Sequence, residues 1–212
     1  MKKIVLAVVA SIMLVSCSSA YYKTMEKFGV HKRDILVDRV EDARDSQREG
    51  EKQFASALEQ FKSVVAVDGG NLEKVYDKLN GEYEKSKSAA DDIRKRIDDI
   101  ESVANALFKE WESELKDYTN KQLRDESQRK LKTTKTKYQQ LLATMRKTES
   151  RLDPVLKAMN DQVLYLKHNL NARAIQSLKQ EVVKIDKDVD VLLAAIRKSV
   201  AEADAFIREM KE

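Results

Sequence analysis

Apolar residues recur along most of this chain at intervals that alternate between three and four, and this spacing constrains the fold more than any other feature. Such a repeat places a continuous apolar seam along an α-helix and is typical of coiled coils. The pattern predicts an all-α fold, an elongated antiparallel bundle of three to four long coiled-coil-like helices. In the first long segment the seam consists of Leu36, Val40, Ala43, Gln47, Gly50, Phe54, Ala57, Phe61 and Val64. Further seams run from Leu72 to Tyr118, from Leu131 to Met159 and from Ile175 to Met210. The apolar face of the third segment continues with Val163, Leu166 and Leu170.

The composition agrees with a helical rod. The 212 residues include only five glycines and one proline, which leaves few breakers for the many turns of a β-sandwich or barrel. Charged residues make up 36%, but the 42% of hydrophobic residues at regular spacing argue against disorder. The formal net charge is +4 and falls to +2 if Lys2 and Lys3 are removed with a leader. Such a balanced charge predicts no nucleic-acid partner.

Residues 1–16 have the pattern of a signal peptide. Lys2 and Lys3 precede an apolar run that is shorter than the roughly 20 residues a transmembrane helix needs. The run ends in Leu14-Val15-Ser16-Cys17, which resembles the lipobox of bacterial lipoproteins. The resemblance implies cleavage before Cys17 and attachment of lipid, including palmitate, to this cysteine, which is the only one in the chain. An ordinary buried or free cysteine is the alternative, but it does not account for this position.

The residue after Cys17 bears on localisation. Lipoprotein sorting in Gram-negative cells resembles a rule read at this position, and Ser18 is not the aspartate that usually retains a lipoprotein in the inner membrane. The resemblance implies attachment to the outer membrane, with the chain facing the periplasm. We therefore divide the chain into a signal peptide (1–16), a lipidated cysteine with a short juxtamembrane segment (17–30), and a helical bundle (31–212).

The juxtamembrane segment contains a small apolar group that has two interpretations. Its members are Tyr21, Tyr22, Met25 and Phe28. They either pack in the core or form a membrane-interface patch beside the anchor, where tyrosines favour the headgroup level. The spacing alone leaves both interpretations open.

Four interruptions divide the predicted helices. Asp68-Gly69-Gly70-Asn71 is the clearest turn, with Asn71 as a cap for the next helix. A phase slip at Thr119-Asn120 predicts a second reversal, with a continuous bent helix as the alternative because the stretch lacks Gly and Pro. His168-Asn169-Leu170-Asn171 predicts a third reversal. Asp153-Pro154 predicts a kink or restart inside the third helix, with Asp153 as its N-cap.

The middle of the first seam is narrow and polar because it contains Gln47 and Gly50. A polar residue in a seam sets the register of the helices in some coiled coils. A glycine without a Cβ allows a neighbouring helix to approach closely. Either role is compatible with this position.

Residues that could serve in catalysis or metal binding are present, but they are not grouped as in known catalytic or metal sites. His31 and His168 lie far apart in sequence, and neither has a second ligand at metal spacing. Asp91-Asp92 and Asp98-Asp99 flank the second seam beside basic residues, which favours a solvated, ion-paired face over acid–base chemistry. We therefore expect no enzymatic activity, no cofactor and no metal.

A basic stripe follows the second reversal. It consists of Lys121, Arg124, Lys132 and Lys135. One hypothesis is that the stripe binds anionic lipid headgroups. The favoured alternative is that an antiparallel hairpin brings acids from the end of the second helix alongside, where they neutralise much of the stripe. These acids are Glu110, Glu112, Glu114 and Asp117.

A mixed apolar and polar stretch covers residues 161–174, with the sequence DQVLYLKHNLNARA. Together with the lipobox and the Tyr21-Tyr22-Lys23 start, it resembles a family of bacterial lipoproteins known only as a domain of unknown function. The resemblance covers most of the chain after Cys17. It implies a lipoprotein with an all-helical domain, and it implies no particular activity.

Two functions are consistent with these patterns. The first is a helical scaffold or interaction rod, held at the membrane through its lipid anchor, which binds a protein partner or associates with itself through coiled-coil surfaces. The alternative is a membrane-surface binding module, because long antiparallel bundles loosely resemble BAR domains and phage-shock-type proteins. Binding of the unlipidated domain to liposomes separates the two.

Overall fold

The computed structural model describes residues 31–65, 71–170 and 172–211, and within these ranges it contains helices and no strand. The predicted signal peptide, Cys17, the juxtamembrane residues, Gly69-Gly70 and Asn171 lie outside the described residues. Five helices are present: α1 (Lys32–Val65), α2 (Leu72–Glu114), α3 (Lys121–Glu149), α4 (Leu152–His168) and α5 (Ala172–Lys211). The all-α prediction is confirmed.

Two asparagines cap helices at the predicted turns. Oδ1 of Asn71 accepts hydrogen bonds from the backbone N–H groups of Glu73 and Lys74, at 3.1 and 3.2 Å. Oδ1 of Asn120 accepts one from the N–H of Leu123 at 3.2 Å. Each bond satisfies a donor that has no partner inside the first helical turn. The caps therefore stabilise the starts of α2 and α3.

The third predicted helix is interrupted, and the details differ from the prediction. α3 ends at Glu149 and α4 begins at Leu152. The predicted restart is therefore confirmed, but Asp153 is not the N-cap, because Arg151 occupies that position without a side-chain cap bond. The Asp153 carboxylate instead pairs with Arg94 of α2. Pro154 lies in the first turn, where a missing N–H costs little.

Contacts between the helices define an antiparallel arrangement around α1. Lys32 and Gln53 of α1 contact Glu110 and Glu82 of α2, so the residue numbers run in opposite directions. The same holds between α1 and α5, where Arg44 pairs with Asp204 and Lys62 pairs with Asp186. α1 therefore lies between α2 and α5.

α3 and α4 together occupy the fourth position of the bundle. Arg94 and Glu101 of α2 pair with Asp153 and Arg146, respectively. On the other side, Oγ1 of Thr148 donates to the carbonyl of Ala195 in α5 at 3.1 Å. The result is a four-position, up-down-up-down bundle, in which α2 with 43 residues is about 65 Å long.

The apolar seams form one continuous core. Every seam residue of α1 is buried, as are those from Leu131 to Met159 and from Leu178 to Met210. Three predicted apolar-face or seam members are exposed instead: Glu114, Tyr118 and Leu170. Because α1 begins level with Glu110, no described part of α1 covers Glu114 and Tyr118. Leu170 lies in the turn after α4, beyond the helix that would have buried it.

Candidate functional site

The two ends of the bundle differ in the segments that meet there. At one end the start of α1 meets the ends of α2 and α5, since Lys32 pairs with Glu110 at 3.0 Å and Arg33 donates to the carbonyl of Met210. We call this the proximal end. At the distal end α1 and α4 finish, and α2 and α5 begin.

Exposed apolar side chains concentrate at these ends. Seven large hydrophobic residues are exposed among the described residues, and five of them flank the two end turns. Tyr118 and Leu123 lie at the proximal end, and Leu164, Tyr165 and Leu170 lie at the distal end. The other two, Val183 and Val191, lie on α5. Both ends therefore present apolar surface that the core does not use.

A cleft of about 270 Å³ opens at the proximal end. Leu107, Trp111 and Met210 supply apolar surface, and Arg33, Glu110, Glu114, Lys130 and Glu209 supply charges of both signs. Nε1 of Trp111 donates to Oγ of Ser127 at 2.8 Å, which fixes the half-buried indole against α3. The sequence patterns identified Trp111 only as a seam residue, because the cleft requires contacts among α1, α2, α3 and α5.

The α2–α3 connection extends past the cleft. We call residues 115–130 the hairpin tip. All its residues are exposed except Leu115, Asp125 and Ser127, which are half-buried. Leu123 is 52% exposed and Tyr118 is 39% exposed. The Asn120 cap holds Leu123 in the first turn of α3, so the two apolar side chains belong to one ordered turn.

The structure divides the predicted basic stripe. Lys135 pairs with Glu112 and lies 5.5 Å from the centroid of the Phe108 ring, so it serves the interface between α2 and α3. Lys121 and Lys132 are exposed, and Arg124 contacts the adjacent Asp125 at 3.9 Å. Of the predicted neutralising acids, Glu110 pairs with Lys32 of α1 rather than with the stripe. Neutralisation within the α2–α3 hairpin therefore applies to Lys135, whereas Lys121 and Arg124 belong to the hairpin tip.

Tyr138, which the sequence patterns identified only as a seam residue, and Arg146, which they did not single out, organise the α2–α3 interface. The rings of Tyr138 and Phe108 are 5.3 Å apart, and burial, followed by the charge of Glu101, raises the pKa of Tyr138 to about 12. Arg146 contacts Glu149, Glu101 and Asp98 at 2.8, 2.6 and 2.7 Å. The hydrogen bond to Glu149, supported by those to Glu101 and Asp98, raises the pKa of the Arg146 guanidinium.

The other titratable groups named above are either dispersed or paired. His31 and His168 are exposed at opposite ends of the bundle. Asp91 pairs with Arg94 at 2.8 Å, as expected for a solvated ion-paired face. Among the described residues no three His, Cys, Asp or Glu side chains are grouped so that they could hold a metal ion. None of the described helices has both the length and the apolar run needed to cross a bilayer.

These features define the class: an antiparallel, all-α bundle of long helices with a continuous core and ion-paired sides. The chain belongs to the family described as "Protein of unknown function (DUF2959)", whose profile matches residues 21–210. The predicted resemblance to a family known only as a domain of unknown function is therefore confirmed. No curated protein matches the chain.

Proposed function

We propose that this protein is a non-enzymatic, lipid-anchored rod of the bacterial envelope that binds a protein partner. In this proposal Cys17 carries the lipid on the periplasmic side of the outer membrane, and the bundle is the rod. The observation that carries the proposal is the position of five of the seven exposed large apolar residues at the two ends. Exposed apolar surface that a fold does not use marks contact sites.

The sides of the rod favour a scaffold over a BAR-like surface module. Charges along the α1–α5 face pair between the two helices: Arg48 with Asp204, Lys62 with Asp186, Glu51 with Arg197 and Glu41 with Lys211. A module that lies on a membrane along its length needs unpaired cations on one side. The paired α1–α5 face and the apolar ends favour contacts made end-on.

The distal turn is the proposed contact for a protein partner. Leu164, Tyr165 and Leu170 lie within seven residues of one another around the end of α4. Nδ2 of Asn169 donates to the carbonyl of Tyr165 at 3.0 Å, which ties the turn to the last turn of the helix. Aromatic and aliphatic side chains on an ordered turn are typical anchors of protein interfaces.

The lipid anchor is tested by changing Cys17→Ala in the full chain. We expect this variant to lose metabolic labelling with palmitate and to keep its leader. Ser16→Ala, which leaves a small residue before the cysteine, is the matched control and should still be labelled. Labelling of the Cys17→Ala variant would reject the anchor.

The rod function is tested with a photoreactive amino acid in intact cell envelopes. Placed at position Tyr165, it should yield a crosslinked product of defined mass that disappears when Leu164 and Leu170 are changed to Ser. At the exposed mid-rod position Lys95 it should yield none. Identical products from both positions would contradict end-on docking, and a product of twice the chain mass would assign the distal turn to self-association.

A further inference from the structure

The α2–α3 hairpin extends beyond the two other helices at the proximal end. α1 begins at Lys32, level with Glu110, and Glu209 near the end of α5 pairs with Lys137. α5 ends at Lys211, and Met210 lines the proximal cleft together with Lys130 and Thr134 of α3. α3 continues from there back to Lys121, so about three turns of helix lie past the α5 end. Among the described residues, the hairpin tip thus extends furthest beyond the bundle at the proximal end.

The chain before His31 leads to the same end. Cys17 and His31 are 14 residues apart, a separation that spans at most about 50 Å when fully extended. The bundle itself is about 65 Å long, because α2 contains 43 residues. A lipid on Cys17 therefore keeps His31, and with it the proximal end, within about 50 Å of the bilayer, whereas the distal end can lie a further rod length away.

The surface of the tip combines apolar and cationic groups. Tyr118 and Leu123 are exposed on either side of the Asn120 cap, next to Lys116, Lys121 and Arg124. Across residues 115–130, five cations accompany three carboxylates. Tyrosine and leucine beside lysine and arginine is the combination found at the interface between hydrocarbon and lipid headgroups.

The stability of the fold does not explain why cations occupy these positions at the tip. The first turn of α3 contains no acid, although acids stabilise the positive N-terminal end of a helix and cations there are unfavourable. By contrast, Lys135 and Lys137, further along α3, pair with Glu112 and Glu209 of neighbouring helices. Lys121 and Arg124 form no ion pair with a neighbouring helix among the described residues, and Arg124 contacts the adjacent Asp125 at 3.9 Å, near the limit for an ion pair. These two cations are therefore available to an external anionic surface.

We propose that the hairpin tip contacts the bilayer that holds the lipid anchor, with Tyr118 and Leu123 at the headgroup boundary and Lys121 and Arg124 on anionic phospholipid headgroups. This inference rests on the proposed lipid anchor and adds a second point of attachment. Two attachments at one end hold the rod at a defined orientation and direct the distal turn away from the membrane.

The contact is measured with a probe on the tip of the lipidated full chain. Thr119→Cys introduces a free thiol beside Asn120, since lipidation uses Cys17, and an environment-sensitive nitrobenzoxadiazole label is attached there. The matched control is Lys74→Cys, which is exposed at the distal end. In vesicles of phosphatidylethanolamine and phosphatidylglycerol, nitroxide-labelled lipids should quench the probe at position 119 and leave the probe at position 74 unchanged. Equal quenching, or none at either position, overturns the proposal.

A second measurement does not depend on the anchor. Residues 18–212 retain every described core contact, all of which lie between residues 32 and 211. Changing Lys121→Gln and Arg124→Gln together should lower partitioning of this chain into the same vesicles on the order of tenfold, with a smaller effect at high salt. Lys135→Gln with Lys137→Gln, which alters paired cations, should change it less than about twofold.

Failure of the tip contact and failure of the lipid anchor are distinguishable. Equal losses of partitioning for the tip pair (Lys121→Gln with Arg124→Gln) and for the control pair (Lys135→Gln with Lys137→Gln) would overturn the tip contact, even if palmitate labelling of Cys17 is normal. Absence of labelling would reject the anchor, while the difference between the two pairs of variants would still test the tip. Tyr118→Ser with Leu123→Ser provides a further variant at exposed positions, where helix content by circular dichroism should stay unchanged.

Discussion

Gly50 of α1 lies directly against Ile93 of α2. A Cβ atom added at Gly50 would lie 2.7 Å from Cδ1 of Ile93, which is closer than carbon atoms pack. Ile93 is fully buried, so its terminal methyl has little free space into which it could move. The glycine therefore allows the first two helices to approach closely at mid-bundle, which is one of the two roles that the sequence left open.

The first prediction concerns this contact. Gly50→Ala gains helix propensity worth about 1 kcal/mol but overpacks the core at a cost of about 1–3 kcal/mol. We expect a net loss of unfolding free energy, measured by urea denaturation. Gly81→Ala is the matched control, because nothing lies within 4 Å of its added Cβ, and it should gain stability.

The contact is isolated by a double-mutant cycle. Ile93→Val removes Cδ1, so Gly50→Ala should be less destabilising, or even stabilising, in that background. A coupling energy of about 1 kcal/mol or more between the two changes is expected for side chains in contact. Additive effects would contradict the close approach.

The second prediction concerns the polar residue one turn away. Neither Oε1 nor Nε2 of Gln47 has a hydrogen-bond partner among the described residues, and the side chain is fully buried. An unsatisfied buried amide costs about 1–3 kcal/mol, and methionine has a similar size and helix propensity. Gln47→Met should therefore raise the midpoint of urea unfolding.

Gln53→Met is the opposite case on the same helix. Nε2 of Gln53 donates to Glu82 at 3.0 Å and to Ser86 at 3.4 Å, so its replacement leaves acceptors without these bonds. This variant should lose stability. If Gln47→Met behaves like Gln53→Met, the Gln47 amide is satisfied in solution and the prediction is wrong.

The third prediction concerns alkaline pH. The pKa of Tyr138 is raised to about 12 in the folded protein, against about 10 in an unfolded chain. A raised folded-state pKa means that ionisation of the phenol is less favourable in the folded chain than in the unfolded one. The free energy of unfolding is therefore unaffected by this group below pH 10 and falls between pH 10 and pH 12. Tyr138→Phe should reduce the loss of unfolding free energy over that window.

At neutral pH the same variant tests the hydroxyl. The Tyr138 hydroxyl is buried without a hydrogen-bond partner among the described residues, so Phe should be neutral or slightly stabilising. The ring contact with Phe108 remains in the variant. Equal alkaline losses in the two proteins would show that Tyr138 does not titrate as derived.

The fourth prediction concerns the α2 seam. Ile97 is fully buried among the four helices, and Ile97→Asp buries a carboxylate without a partner. The expected cost is several kcal/mol, of the order of a large part of a typical folding free energy of about 5–15 kcal/mol. Asn105→Asp, at an exposed position of the same helix, should change stability by less than about 0.5 kcal/mol. Similar thermal midpoints for both variants would contradict the buried seam.

The seams and caps were predictable from the sequence because they depend on local periodicity and on single side chains. Residues from Leu36 to Val64 are buried in the predicted pattern, and Asn71 caps α2 as its position indicates. Asp153 shows the limit of such reasoning. Its cap signal is local, but the Arg94 guanidinium, 59 positions away in sequence, takes the carboxylate instead.

The sequence predicted that α2 and α3 pack as an antiparallel hairpin, but only the tertiary structure decided which charges along it are neutralised. Lys135 and Lys121 look alike in a basic stripe, yet Lys135 meets Glu112 while Lys121 is exposed at the hairpin tip. The periodicity of a helix determines which face is buried, but the partner of a surface charge depends on the lengths of all the other helices. α1 begins level with Glu110 and α5 ends near Thr134, and these two end points are what leave the tip uncovered by the other described helices.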